Sequence, residues 1–347
     1  MSLIRSLHPW SPLFLTVVVL AAVVGCRSSQ DSASVEPREA EQDRPVADVR
    51  QPTPNQAAAA AEGQLAIDAG DYNGAIEIFE SLLDENPSLT VAYVGIGRAY
   101  QDQGNFARAE PAYERAARLE PRNFEAQYGH GEVLRALGKL REALRAFRKA
   151  LTIDPNDVEA LSAMGGTLVE LGMPGSAIPA AEKAVELDPT NGRLRAALGT
   201  AFMLAKRYPE AIDEYEIAIE LAGNDPEIIT NLVECYAREG RFREAVNAGE
   251  VLVNIAPSPM VWERLGRAYF KTGDFDASLE SYRRALEIDP EYWPALNGVG
   301  VNELNAWLKS GRTEMAARVE AADAFRSSVR INPDQPKVVK ILTTYGI

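Results

Sequence analysis

Trp262-Glu263-Arg264-Leu265-Gly266-Arg267-Ala268-Tyr269 sets its apolar and small residues at i, i+3, i+4 and i+7. That spacing gathers side chains on one face of an α-helix. Tyr93, Ile96, Gly97 and Tyr100 repeat it further back along the chain. Between these segments runs a regular punctuation: Pro87, Pro121, Pro155 and Pro189 lie thirty-four residues apart, and prolines return at Pro257, Pro290 and Pro333. A fixed period of this length marks a stack of helical hairpins. Each proline closes a second helix, because proline cannot continue one.

The second helices carry their own signal. An alanine is followed four residues later by an aromatic in Ala75–Phe79, Ala143–Phe147, Ala109–Tyr113 and Ala211–Tyr215. Glycines fall between the halves at Gly70, Gly104, Gly138, Gly172, Gly240 and Gly273. Small residues at Gly97, Gly131, Gly165, Gly199 and Gly266 let the paired helix approach, as do Ala109, Ala116, Ala143, Ala150 and Ala177 from the other side. The aromatic fills the space that this leaves. Each hairpin exposes a flank that only its neighbour covers, which makes the stack a solenoid.

These motifs, W-x₂-L-G-x₂-Y and A-x₃-F at the shared period, resemble the tetratricopeptide-repeat family over about 280 residues. The resemblance implies an all-α fold, an α-solenoid of about eight helix-turn-helix repeats. They span 56–89, 90–123, 124–157, 158–191, 192–225, 226–258, 259–292 and 293–334, with a capping helix over 335–347. In that helix, Val338, Ile341, Leu342 and Tyr345 share one stripe.

Departures from the pattern are local. Repeat five puts Lys206 at the turn-glycine position and Gly223-Asn224 at the closing proline. Repeat seven starts one residue early, after Pro257, and repeat one opens on an alanine run, Ala57 to Ala61. The last repeat is longer, with its turn at Lys309-Ser310-Gly311-Arg312, so both of its helices should gain about one turn. Trp307, Leu308 and Met315 then lie at the solenoid's edge. They either pack on one another and on the capping helix or form a secondary docking patch.

The N-terminus is a separate unit. Arg5 precedes an apolar run from Leu13 to Val24, and Val23-Val24-Gly25-Cys26 ends it. This is the pattern of a signal peptide over 1–25. Its last four residues resemble the lipobox of bacterial lipoproteins, which implies lipid attachment at Cys26. A plain membrane anchor is the alternative, although the run is short of the roughly 20 residues that span a bilayer. Residues 26–55 comprise the lipidated cysteine and a Ser-, Glu-, Gln- and Pro-rich tether, too poor in apolar residues to fold alone.

The net charge of −14 disfavours nucleic acid as a partner, since phosphate binding needs a concentrated basic surface. Charge is uneven along the stack. Repeat one holds Glu62, Asp68, Asp71, Glu77, Glu80, Asp84 and Glu85 with no Lys or Arg, whereas repeats two and three are arginine-rich. His130 is the single histidine after the signal peptide, and it is assigned to the core face of repeat three. No second histidine or thiolate completes a metal site around it. Cys235, on the inner face of its helix, reads as a small buried hydrophobe. No catalytic residues, metal or cofactor are expected, and the chain reads as a non-enzyme.

The resemblance implies that the first helices line a concave, peptide-binding groove. Arg98, Tyr128, Arg135, Arg193, Asn231, Arg264, Arg267 and Phe270 fall at the lining positions. Arginine beside aromatic residues suits peptide recognition. The carboxylate clamp of some family members is matched only at Asn231 and Arg264; Ala196, Thr200 and Met260 stand at its other positions, so chaperone-tail binding does not carry over. The implied function is a membrane-tethered scaffold or assembly factor that binds a protein or peptide partner in the cell envelope. Arg27 after the cysteine is not the aspartate that retains enteric lipoproteins in the inner membrane, which implies the outer membrane, facing the periplasm. The alternative is a structural lipoprotein that self-associates through its end repeats.

Overall fold

A computed structural model describes residues 51–347. The signal peptide, Cys26 and the tether as far as residue 50 lie outside the described residues. The first hairpin pairs α1 (Pro54–Asp68) with α2 (Tyr72–Glu85), and the next three pair α3 (Thr90–Asp102) with α4 (Phe106–Leu119), α5 (Phe124–Ala136) with α6 (Leu140–Ile153), and α7 (Val158–Glu170) with α8 (Pro174–Leu187). Then come α9 (Gly192–Leu204) with α10 (Tyr208–Ala222), α11 (Pro226–Glu239) with α12 (Phe242–Ile255), and α13 (Pro259–Thr272) with α14 (Phe275–Ile288). The last hairpin joins α15 (Trp293–Lys309) to α16 (Met315–Ile331), and α17 (Pro336–Tyr345) follows. No strand occurs among the described residues. The fold is therefore an all-α solenoid of eight hairpins and a terminal helix.

The helix ends follow from their sequences. Thr53 caps α1 in a capping box with Gln56, so this helix starts at Pro54, two residues before the expected repeat boundary. Asp71, Asn123, Asp157, Asp225, Ser258 and Asp274 cap later helices through their side chains. Between the helices of a hairpin, Gly104 and Gly138 adopt a φ of 73°, which glycine tolerates without a Cβ clash. Lys206 adopts a φ of 64° at the same turn of repeat five, where a side chain is strained. In the last hairpin both α15 and α16 have 17 residues, against 14 in α13 and α14, about one turn more.

Each hairpin helix packs on its partner, and second helices pack on the first helix of the next repeat. First helices also pack on first helices at every step, from α1 on α3 to α13 on α15. Second helices do not pack on one another to a comparable extent, which puts the first helices on the inner side of the solenoid. Aromatic rings sit between them. Phe79, Phe147, Tyr215 and Phe325 are fully buried, each worth about 1.5–3 kcal/mol relative to exposure. The glycines opposite explain the fit: a Cβ on Gly131 would lie 2.6 Å from the Phe147 ring, and one on Gly199 would lie 2.9 Å from Tyr215.

The C-terminal end is closed by polar and apolar contacts together. Gln335 is buried and donates from Nε2 to the Ser328 carbonyl at 3.0 Å and the Asn332 carbonyl at 2.8 Å, while Asn297 Nδ2 donates to Gln335 Oε1 at 2.6 Å. Val338 of α17 is buried, with Ile341, Leu342 and Tyr345 of the same helix packed beside it on one core. Trp307 belongs to that core too, only 6% exposed and edge-on to Tyr345 at 6.5 Å. Leu308 is partly buried there. Of the three residues considered for a docking patch, Trp307 and Leu308 thus pack under the capping helix, because the extra turn of α15 carries them inward. Met315 alone is exposed, beside Val319 on α16.

Candidate functional site

The inner face carries one cavity of about 530 Å³, between α5, α7 and α9. Tyr128, Glu132 and Arg135 reach it from α5, Ser162, Gly165 and Gly166 from α7, and Arg193, Ala197 and Thr200 from α9. Its floor is Ala177, Ala181 and Ala184 of α8. The helical period explains the convergence: Tyr128, Glu132 and Arg135 are spaced i, i+4 and i+7 and share one face.

The polar groups of this cavity differ in how far they are satisfied. Arg135 donates from Nε and Nη2 to Glu170 Oε1 at 2.8 and 2.6 Å, and its guanidinium lies over Gly166. Tyr128 stacks on Phe124 with ring centroids 5.8 Å apart and tilts against Phe147. Burial, with Glu132 adding to it, pushes the Tyr128 hydroxyl up, so it stays protonated. Glu132 Oε1 is buried with no hydrogen-bond partner among the described residues. Burial raises this carboxyl above the ordinary carboxylate range, with Arg135 opposing and Glu159 and Glu170 reinforcing the shift. Arg193 is exposed and makes no ion pair among the described residues.

The other expected lining residues are spread along the inner face rather than gathered. Arg98 bridges repeats, its Nη2 3.3 Å from Asp68 and its Nε 3.8 Å from Asp102. Arg264 donates from Nη1 to the Thr230 carbonyl at 3.3 Å. Arg267 turns onto Glu263 of its own helix at 2.5 Å. Asn231 lies against the Tyr215 hydroxyl, and Phe270 meets Phe275 edge-on at 5.2 Å. Three of the eight, Tyr128, Arg135 and Arg193, therefore form one site with Glu132, which the sequence pattern did not single out.

Two further groups are placed by the structure. His130 is half-buried rather than in the core, and burial lowers its pKa, with Glu114 and Glu110 opposing. Cys235 is fully buried, and desolvation pushes its thiol up to about 12. Among the described residues no group of three His, Cys, Asp or Glu is placed to hold a metal ion. No described helix is long and apolar enough to cross a membrane.

Comparison with known proteins agrees with this architecture. Family models described as tetratricopeptide repeat match residues 94–158, 168–228 and 259–292. No curated protein matches the chain. Among solved structures, the chain is similar to MamA protein, at 30% identity over 48% of this chain and 92% of that one, with a TM-score of 0.47. It is also similar to a tetratricopeptide repeat protein from Parabacteroides merdae, at 16% identity over 68% of this chain and 94% of that one, with a TM-score of 0.50. A third likeness is YrrB, described as a TPR protein with an unusual peptide-binding site, at 21% identity over 63% of this chain and 95% of that one, with a TM-score of 0.41. The repeat fold is one that binds proteins and peptides, and the family is generally non-catalytic. With its period, its hairpins and the three matching family models, the chain belongs to the tetratricopeptide-repeat family.

Proposed function

We propose that this chain is a membrane-tethered scaffold of the bacterial cell envelope that holds a segment of a partner protein in its concave groove and carries out no chemistry. The observation that carries the reading is the inner-face cavity where Tyr128, Arg135 and Arg193 meet. An arginine without an ion-pair partner among the described residues, beside aromatic and small residues, is suited to a peptide's carboxylate and side chains. A lipid on Cys26 would confine the groove to the membrane surface and raise its effective concentration near other membrane proteins. The lipobox-like ending at Cys26, followed by Arg27, supports attachment at the outer membrane facing the periplasm.

The test has two arms in the native host. Fed an alkyne-tagged fatty acid, cells should label wild-type protein and leave Cys26→Ala unlabelled; equal labelling, or none in either, removes the lipid from the account. Detergent-extracted protein should co-purify a specific envelope protein, and Arg193→Glu should lose it.

A second reading, self-association through the end repeats, is favoured by the exposure of Met315 and Val319 on α16. Under it, Met315→Glu would convert an oligomer to monomer in sedimentation.

A further inference from the structure

The cavity on the inner face is the imprint of a missing ring. In repeats one, two, three, five and eight the fourth residue after an alanine of the second helix is Phe79, Tyr113, Phe147, Tyr215 or Phe325, and in repeat seven Tyr282 follows Ser278 at the same spacing. Each ring fits against a glycine of its own first helix: a Cβ on Gly63, Gly97, Gly131, Gly199, Gly266 or Gly300 would come within 2.6–3.1 Å of it. The far side of the Phe79, Tyr113 and Tyr282 rings rests on Gly95, Gly129 and Gly298 of the next first helix. In repeat six the sizes are exchanged, with Gly249 in place of the ring and Val233 in place of the glycine, and a Cβ on Gly249 would lie 3.1 Å from the Leu265 side chain. In repeat four nothing compensates. Ala181 replaces the ring, Gly165 is retained, and Ala197 stands on the far side. A Cβ on Gly165 would meet nothing nearer than 3.9 Å. Those three residues line the cavity.

We infer that this socket takes the side chain of a tyrosine or tryptophan from the partner's segment, which supplies in trans the ring that repeat four lacks. The inference rests on the groove-binding reading and names the chemistry recognised there. The six rings elsewhere in the chain show what fits between a first-helix glycine and the next first helix. The cavity's size lies within the range of ordinary ligand pockets and exceeds a single ring, leaving room for flanking peptide. The need for a donor comes from Glu132: its buried Oε1 has no partner, and a phenol O–H or indole N–H would satisfy it. Arg193 at the rim, free of any ion pair among the described residues, would take a carboxylate of the same segment. Aromatic anchors in desolvated pockets are the usual hot spots of such interfaces.

The full chain in detergent is titrated with p-cresol and with toluene by ligand-observed NMR, and it is used to select from a displayed random-peptide library. The variants are Ala181→Phe, which restores the ring, and Gly165→Val, which copies Val233 of repeat six. Expected are saturable p-cresol binding stronger than toluene binding, selected peptides enriched in Tyr or Trp, and a loss of about tenfold or more for both ligands in each variant whose thermal midpoint is not lowered. Selected peptides that lack aromatic residues, or that bind both folded variants undiminished, overturn the socket and leave the groove reading standing. Failure to select any peptide overturns both.

Discussion

Gly165 faces Ala181 across the hairpin of repeat four with no ring between them, whereas Gly131, one repeat earlier, closes on the buried Phe147. A solenoid transmits load through neighbour contacts, so an unfilled interface is a local weakness in stability. It is also the place where a partner gains most by filling it.

Ala181→Phe should therefore stabilise the chain, an unusual outcome for a small-to-large change. Overpacking ordinarily costs about 1–3 kcal/mol, but here the space exists, and burying the ring returns about 1.5–3 kcal/mol. Urea denaturation should show a gain. The converse change, Phe147→Ala, should cost about 3–5 kcal/mol, since it opens a second cavity of the same kind.

Lys206→Gly should stabilise repeat five. Lys206 holds a φ of 64° where other repeats use glycine, and an L side chain in that region costs about 1–2 kcal/mol. Part of that gain is lost to the greater freedom of glycine in the unfolded chain. A net rise in thermal midpoint is expected, and an unchanged or lower midpoint contradicts the account of this turn.

Glu132 makes stability depend on pH in a predictable direction. Its folded-state pKa lies above the ordinary value of 4.5, so the folded state binds the extra proton. The contribution is fully present below that ordinary value and is lost as pH rises through the raised one. Glu132→Gln, which stays neutral, should be more stable than wild type at pH 7, and the difference should close on acidification toward pH 4. Parallel denaturation curves at the two pH values measure this, and a gap that widens in acid contradicts it.

Cys235 should be unreactive in the native state. Its thiol is fully buried and pushed up to about 12, so little thiolate forms at pH 8. A maleimide or disulfide reagent should modify it only on unfolding, at a rate that tracks denaturant.

Much of this was legible before any coordinates. The proline period places the hairpin boundaries, because a helix must end where proline follows. The longer last repeat appears as one extra turn in each of α15 and α16. The helix start at Pro54 comes from the reciprocal bonding of Thr53 and Gln56, which hydrophobic periodicity does not report. The site was half visible. The family resemblance implies that Tyr128, Arg135 and Arg193 line the inner face, but it does not say which arginines are engaged. Arg267 turns to Glu263 and Arg98 to Asp68, choices made by side-chain reach. The socket itself had a signal: Ala181 lies one period beyond Phe147.

The central claim is that the concave face of repeats three to five captures a partner. The most direct measurement replaces Arg193, on that face, with a photo-crosslinking amino acid in living host cells, beside the same replacement at Arg145, exposed on the second helix α6. The account predicts a discrete adduct with another protein at position 193, lost when Ala181→Phe is added, and none at 145. Adducts at 145 alone, or only with a second copy of this chain, would contradict it.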